Sequence, residues 1–347
     1  MLVKQGKEIA RQWVMERGSQ TPGFCGAFFT GSLNWKSDNE DIPSTSDIDI
    51  RIVIDGADLP NSVSSFVYHG LLFEVGYSPI SQFRSPEAIL GDYTLACHFT
   101  KPCIIADVSG ELTVLKNVIS RDFAKHQWIY KRCEHARDWT LASPQWFKDE
   151  DPSSDHVLPW LCQIGYACHI LLTADLQNPT ARKCMVEAKE VLARYGRMDI
   201  YDELLKVLGS YNLKREQVEP HLRQLAEVYD VAKEIIRTPF FFAFDINNYA
   251  RSKSIDGCQQ LIDSGYHREA MLWIGFYFSL CQRVLRNDAS TEVQKQFYLP
   301  YKHFLSDLGI ESDSDLHKRS GQNVTLINTI WNVAELMIAT NPEIIPA

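Results

Sequence analysis

Two aspartates one residue apart, Asp47 and Asp49, open the run Asp47-Ile48-Asp49-Ile50-Arg51-Ile52-Val53-Ile54. Its alternation is that of a half-buried strand, with Ile48, Ile50, Ile52 and Ile54 on one face and Asp47, Asp49 and Arg51 on the other. Carboxylates so placed have Cα atoms about 7 Å apart, and their tips can converge on one or two hard cations. Like charges this close repel unless a cation or a proton lies between them, a cost that chemistry explains better than stability does. A third acid follows. Phe66-Val67-Tyr68, His69-Gly70 and Leu71-Leu72-Phe73-Glu74-Val75-Gly76-Tyr77 read as two short strands around a tight turn. Leu71, Phe73, Val75 and Tyr77 share one face of the second strand and Glu74 takes the other. If this strand pairs beside Asp47–Ile54, Glu74 joins the two aspartates; if it does not, the three are unrelated surface acids.

Upstream, Gly31-Ser32 follows the apolar run Gly26-Ala27-Phe28-Phe29. A glycine permits close backbone approach by a phosphate, and a serine adds a hydroxyl donor. The set of strand, Gly-Ser, spacer, Asp-x-Asp strand and a glutamate on a further strand covers roughly residues 24–77. It resembles the nucleotidyltransferase superfamily that includes DNA polymerase β, and within it the aminoglycoside and lincosamide adenylyltransferases. It departs from that pattern in a long spacer, Leu33–Ser46, with the polar insertion Lys36–Asp41, and in Thr30, where an apolar residue is usual.

The resemblance implies an α+β protein, with a small mixed-sheet catalytic domain followed by a mostly helical one. It implies that Asp47, Asp49 and Glu74 hold Mg2+, two ions in the expected case with Mn2+ as a substitute, and that Gly31 and Ser32 hold the phosphates of a nucleoside triphosphate. The expected reaction moves a nucleoside monophosphate, AMP by analogy, to a hydroxyl of a small molecule such as an aminoglycoside or lincosamide. The rival readings keep the fold and change the acceptor to a protein side chain or an RNA end, or make the chain a non-catalytic nucleotide sensor. An acid after the third strand deprotonates the acceptor in several such enzymes; Asp92 is the candidate here, with Glu87 second, and the alternative for Asp92 is a helix cap. Arg182 and Lys183, at a helix start, would meet a triphosphate or simply face solvent. Arg51 shares the acid face and is placed to pair with a carboxylate there.

The composition agrees with a globular chain. Its 347 residues suffice for two domains, and 45% hydrophobic with 23% charged residues is ordinary. The net charge of −9 and the lack of a basic run argue against a nucleic-acid partner and suit a cationic acceptor. The start, Met1-Leu2-Val3-Lys4-Gln5-Gly6-Lys7-Glu8, lacks the apolar core of a leader, and no membrane span is expected. Nine scattered cysteines without a Cys-x-x-Cys pair read as reduced thiols, so a cytoplasmic location is expected. His98, near Cys97, Cys103 and His126, shows no metal-ligand spacing and reads as a core histidine.

An amphipathic helix with Ile9, Trp13 and Val14 opens the chain and stops near Gly18. Strand-like alternation persists to about Val108 and fades after Ser120, so the boundary is drawn near residue 120, with domains 1–120 and 121–347. Helices are expected at Arg121–Thr140, Val157–Leu176, Ala181–Tyr195 behind a capping Thr180, Ile200–Leu208, Arg215–Ile236, Ile255–Ser264, Arg268–Leu285 and Thr325–Ile338. Ser143-Pro144 and Asp151-Pro152-Ser153-Ser154 read as loops. Trp160, Tyr166, Tyr249 and Trp273 are expected in the helical core, with one or two of them able to stack on a base.

Overall fold

The computed structural model describes residues 1–56, 59, 64–150 and 156–346. Within them the alternating segments become one mixed sheet: β1 (Phe24–Phe29), β2 (Asp47–Ile54), β3 (Ser64–Tyr68), β4 (Leu71–Pro79) and β5 (Ile104–Asp107), in the order β3-β4-β2-β1-β5. The protein is α+β, with this small sheet near its N-terminus and a helical C-terminal part.

Both faces of the sheet are covered, and the two coverings differ. Helix α1 (Val3–Glu16) lies on the isoleucine face. Its Gly6 sits so close that a Cβ there would come within 2.3 Å of Ile42 and 3.5 Å of Ile48. Trp13 packs its ring 5.1 Å from Phe66 and 6.0 Å from Phe73. On the acid-bearing face, Phe28 meets Phe99 at 4.9 Å and Phe83 at 5.5 Å. A Cβ on Gly26 would come within 2.8 Å of Leu112, on the helix over that face. Helices α2 (Pro86–Gly91) and α3 (Glu111–Asp122) belong to that side. The apolar residues therefore fill one end of this face and leave the aspartates at the other.

The polar insertion Lys36–Asp41 has a structural use. The first amides of a helix have no partner within it. Here Val3 N–H donates to the Glu40 carbonyl at 2.8 Å and Lys4 N–H to the Asp38 carbonyl at 3.0 Å. Lys7 Nζ adds a 2.9 Å ion pair with Asp38. The long spacer thus ties the start of α1 to the loop that precedes the acid strand. The β3–β4 hairpin turns at His69 and Gly70, with φ of 49° and 76°, the doubly positive pairing that matches the twist of two-residue hairpins.

The chain divides into two units: Met1–His135 with Leu176–Thr180 and Asn341–Ala347, and Ala136–Asp175 with Ala181–Thr340. The boundary drawn near residue 120 lies inside α3, and the division comes later, within α4 (His126–Glu150). Fading alternation marks the last strand, whereas α3 still packs on the sheet. The single helix expected over Arg121–Thr140 is in fact the end of α3, a break, and α4. Ser143-Pro144 is not a loop but lies within α4. Pro144 removes the amide that would bond the Thr140 carbonyl, and that carbonyl instead accepts from Ser143 Oγ at 3.0 Å and Gln163 Nε2 at 3.2 Å. Asp151-Pro152-Ser153-Ser154 lies outside the described residues.

The second unit continues with α5 (Val157–Ala174), α6 (Cys184–Arg194), α7 (Met198–Leu208), α8 (Arg215–Ile235), α9 (Gly257–Asp263), α10 (His267–Asp288), α11 (Thr291–Asp307) and α12 (Asp313–Thr340). Helix α6 starts later than expected, with Lys183 rather than Thr180 at its N-cap. Helix α11 escapes the sequence because Pro300 interrupts its pattern, and α12 begins twelve residues before the expected Thr325. Among the described residues α5 alone is long and apolar enough to cross a membrane, and 89% of it is buried inside the fold. All nine cysteines are free, and all but Cys25 are buried.

Phe73 is fully buried beneath α1 while Glu74, its neighbour, faces the other way. Phe73→Ala is expected to lower stability by about 3–5 kcal/mol in urea denaturation, and Glu74→Gln to change it little. A mild reductant is expected to leave the melting temperature unchanged, and a marked drop would reveal a disulfide.

Candidate metal centre

The pairing of β2 with β4 brings the three acids together. The strands run parallel in a register that sets Asp49 beside Glu74 and Asp47 beside Leu72. Asp47 precedes Asp49 by one pleat on the same face. One carboxylate oxygen from each of Asp47, Asp49 and Glu74 lies within 4.8 Å of the other two, and all three side chains are partly exposed. Oxygens around one octahedral Mg2+ stand about 3–4 Å apart, given bonds of about 2.1 Å. A spread of this size is compatible with a cation held between the three carboxylates. The donors are all hard oxygens, the set that Mg2+ and Mn2+ take and that zinc sites with cysteine or histidine do not.

Gly31 is locked against this cluster. Thr30 N–H donates to the Asp49 carbonyl at 3.0 Å, which ends the β1–β2 ladder and turns the chain over the acid. Gly31 then takes φ 66°, and a Cβ on it would sit 1.7 Å from Asp49 Oδ2. No side chain fits there. Ser32 begins the short 3-10 turn Ser32–Trp35 and is exposed. One residue of that turn, Asn34, was not singled out in the sequence. Asn34 is buried and donates from Nδ2 to the His98 carbonyl at 3.4 Å. It carried no signal beyond standing two places after Ser32. His98 is buried, as a core histidine should be. Burial first, then the positive charge of Arg51, pushes it down to about 4, while Asp92 pulls the other way. It is neutral at physiological pH.

Arg51 occupies the acid face one pleat beyond Asp49. Its Nη1 donates to the Tyr77 carbonyl at 3.3 Å. Burial lowers its pKa, and the charges of Asp49 and Glu74 oppose that shift. Among the described residues, Arg51 Nε, His98 Nδ1 and Asn34 Oδ1 have no hydrogen-bond partner.

The remaining candidates make contacts of their own. Asp92 follows α2, and its Oδ1 accepts from Thr94 N–H at 2.8 Å, Thr94 Oγ1 at 2.6 Å and Leu95 N–H at 3.1 Å. That is the capping role, applied to the turn that follows the helix rather than to the helix. Glu87, in the first turn of α2, accepts from Ser85 Oγ at 3.3 Å. Arg182 and Lys183 belong to the second unit, where Arg182 Nη1 donates to the Lys253 carbonyl at 3.0 Å. Arg182 packs on Gly257, whose absent Cβ would be 2.7 Å from Nη1. Trp160 is a core residue, Trp273 packs 4.8 Å from Phe276, Tyr166 edges Trp139 at 6.3 Å, and Tyr249 is half exposed.

No protein-family model and no curated protein matches this chain. The functional reading of the cluster rests on its geometry.

Two measurements probe that geometry. Gly31→Ala is expected to displace the Asp49 carboxylate and weaken Mn2+ binding while the far-ultraviolet spectrum stays native; unchanged binding would contradict the close approach. His98 supplies a pH test. Its folded pKa of about 4 lies below the ordinary 6.5, so the unfolded chain takes up a proton that the folded one refuses. Stability therefore falls as pH drops from about 6.5 to about 4, by on the order of 3 kcal/mol from this group. His98→Gln is expected to flatten that slope in urea unfolding across the same window.

Proposed function

We propose that this protein is a Mg2+-dependent nucleotidyltransferase of the polymerase-β-like type. It moves a nucleoside monophosphate, AMP in the first instance, from a nucleoside triphosphate to a hydroxyl of a small molecule. The observation that carries the reading is the register of β2 and β4, with Asp49 beside Glu74 and Asp47 one pleat away, directly under a glycine at which a side chain would push on the Asp49 carboxylate. A serine-bearing turn beside three converging hard-oxygen donors is a combination suited to a metal–triphosphate complex.

Asp47, Asp49 and Glu74 would hold the cation, and Gly31 and Ser32, beside Asp49, would meet the phosphates. When bound, Mg2+ neutralises charge on the triphosphate and lowers the pKa of the attacking hydroxyl. The residues' share is placement. The carboxylates sit on two hydrogen-bonded strands rather than on loops, so their backbone positions are set before any ligand arrives. Asp92 remains the proposed acceptor of the hydroxyl proton. The acidic balance, −9 overall, favours a cationic, hydroxylated acceptor such as an amino-sugar over a polynucleotide.

Pyrophosphate release with each nucleoside triphosphate and Mg2+, across amino-sugar, lincosamide, protein and RNA acceptors, tests the proposal. Release that depends on an amino-sugar or lincosamide supports it, and release only with RNA or protein reassigns the acceptor. Asp49→Asn is nearly isosteric and is expected to reduce transfer to background with the fold intact. Asp92→Ala is expected to slow transfer by about 10²–10⁴-fold with nucleotide affinity nearly unchanged. Equal loss of both would return Asp92 to its capping role alone.

A further inference from the structure

Arg51 stands where a cation is least expected, on the face of β2 that carries the acids. Its position is built rather than incidental. It pairs in register with Gly76 of β4. A Cβ on Gly76 would lie 2.9 Å from Nη1 and 3.2 Å from Cζ of Arg51, so the guanidinium lies across the neighbouring strand's backbone in space that only glycine leaves. The Tyr77 carbonyl accepts from Nη1 and fixes it there. Glu74 is two residues before Gly76 on one strand, and Asp49 two residues before Arg51 on the other, on the same sheet face. The charge of Arg51 acts on both of them. The histidine beside it, His98, is neutral and adds no charge of its own.

From this arrangement we infer that Arg51 is a resident counter-charge that weakens the acid cluster's hold on a bare divalent cation, so that the site fills when the cation arrives with a triphosphate. The inference rests on the nucleotidyltransferase reading. Three ionised carboxylates with one guanidinium carry a net −2 where the acids alone would carry −3. Part of the attraction for a dication is thereby lost before it binds. A partly buried, strand-anchored charge is screened little by salt and cannot swing away. A bound triphosphate would restore the balance, because its oxygens would add ligands to the cation and its negative charge would be opposite in sign to that of Arg51. Arg51 is thus a positioning residue that couples metal occupancy to the nucleotide.

The test is Mn2+ binding followed by electron paramagnetic resonance, with no turnover required. Wild type is expected to bind Mn2+ weakly alone and more tightly with a non-hydrolysable ATP analogue. Arg51→Gln is expected to bind bare Mn2+ about tenfold more tightly than wild type, with a smaller nucleotide enhancement. Arg51→Lys is expected to stay close to wild type, which a role in shape alone would not produce. If Arg51→Gln binds bare Mn2+ no more tightly than wild type, the counter-charge assignment is overturned. If that variant fails to fold, wild type decides: tight bare binding that the analogue does not enhance overturns it equally. Asp49→Asn separates the two ideas. If it binds Mn2+ as wild type does, the metal reading itself fails; if it loses binding while Arg51→Gln is unaltered, only the role of Arg51 fails.

Discussion

The parallel pairing of β2 with β4 is the constraint on which the site depends. A shift of one residue in that register would turn Glu74 away from the aspartates and put Phe73 in its place. The shift is opposed from the other face, where Phe73 and Val75 are buried with Ile48 and Ile50. The apolar contacts under α1 therefore decide which side chains stand above the sheet. Residues that the acids never touch hold them in register.

The same sheet face serves two purposes along its length. At one end Phe28, Phe83 and Phe99 close a core; at the other the carboxylates remain partly exposed. Arg51 lies between these regions and tolerates burial because Asp49, Glu74 and the Tyr77 carbonyl offset its desolvation. The Gly31 turn completes the exposed end. Its left-handed backbone is the conformation that glycine adopts without steric penalty, and the adjoining Asp49 carboxylate excludes every side chain.

Much of this was legible in the sequence. Alternation located β2 and β4, because a period of two is unambiguous when one face is isoleucine or aromatic and the other is charged. The hairpin followed from His69-Gly70. What did not show was long-range or tolerant of exceptions. Nothing local indicates that Arg51 has a glycine opposite it, or that Asn34 meets the His98 carbonyl, 64 residues away. Pro144 and Pro300 look like breaks, yet each sits within a helix; at Pro144 a serine and a distant glutamine satisfy the freed carbonyl. The domain limit was blurred because a helix that packs on a sheet has the same period as one that packs on helices. The role of Lys36–Asp41, lending carbonyls to the start of α1, is equally invisible to periodicity.

Asp47, Asp49 and Glu74 are proposed to form one cation site. Anomalous diffraction from crystals grown with Mn2+ and a non-hydrolysable nucleotide tests it most directly. Manganese peaks bounded by those three carboxylates, with the phosphates beside Gly31 and Ser32, are the expected result. Manganese bound elsewhere, with the three carboxylates unliganded, would contradict it.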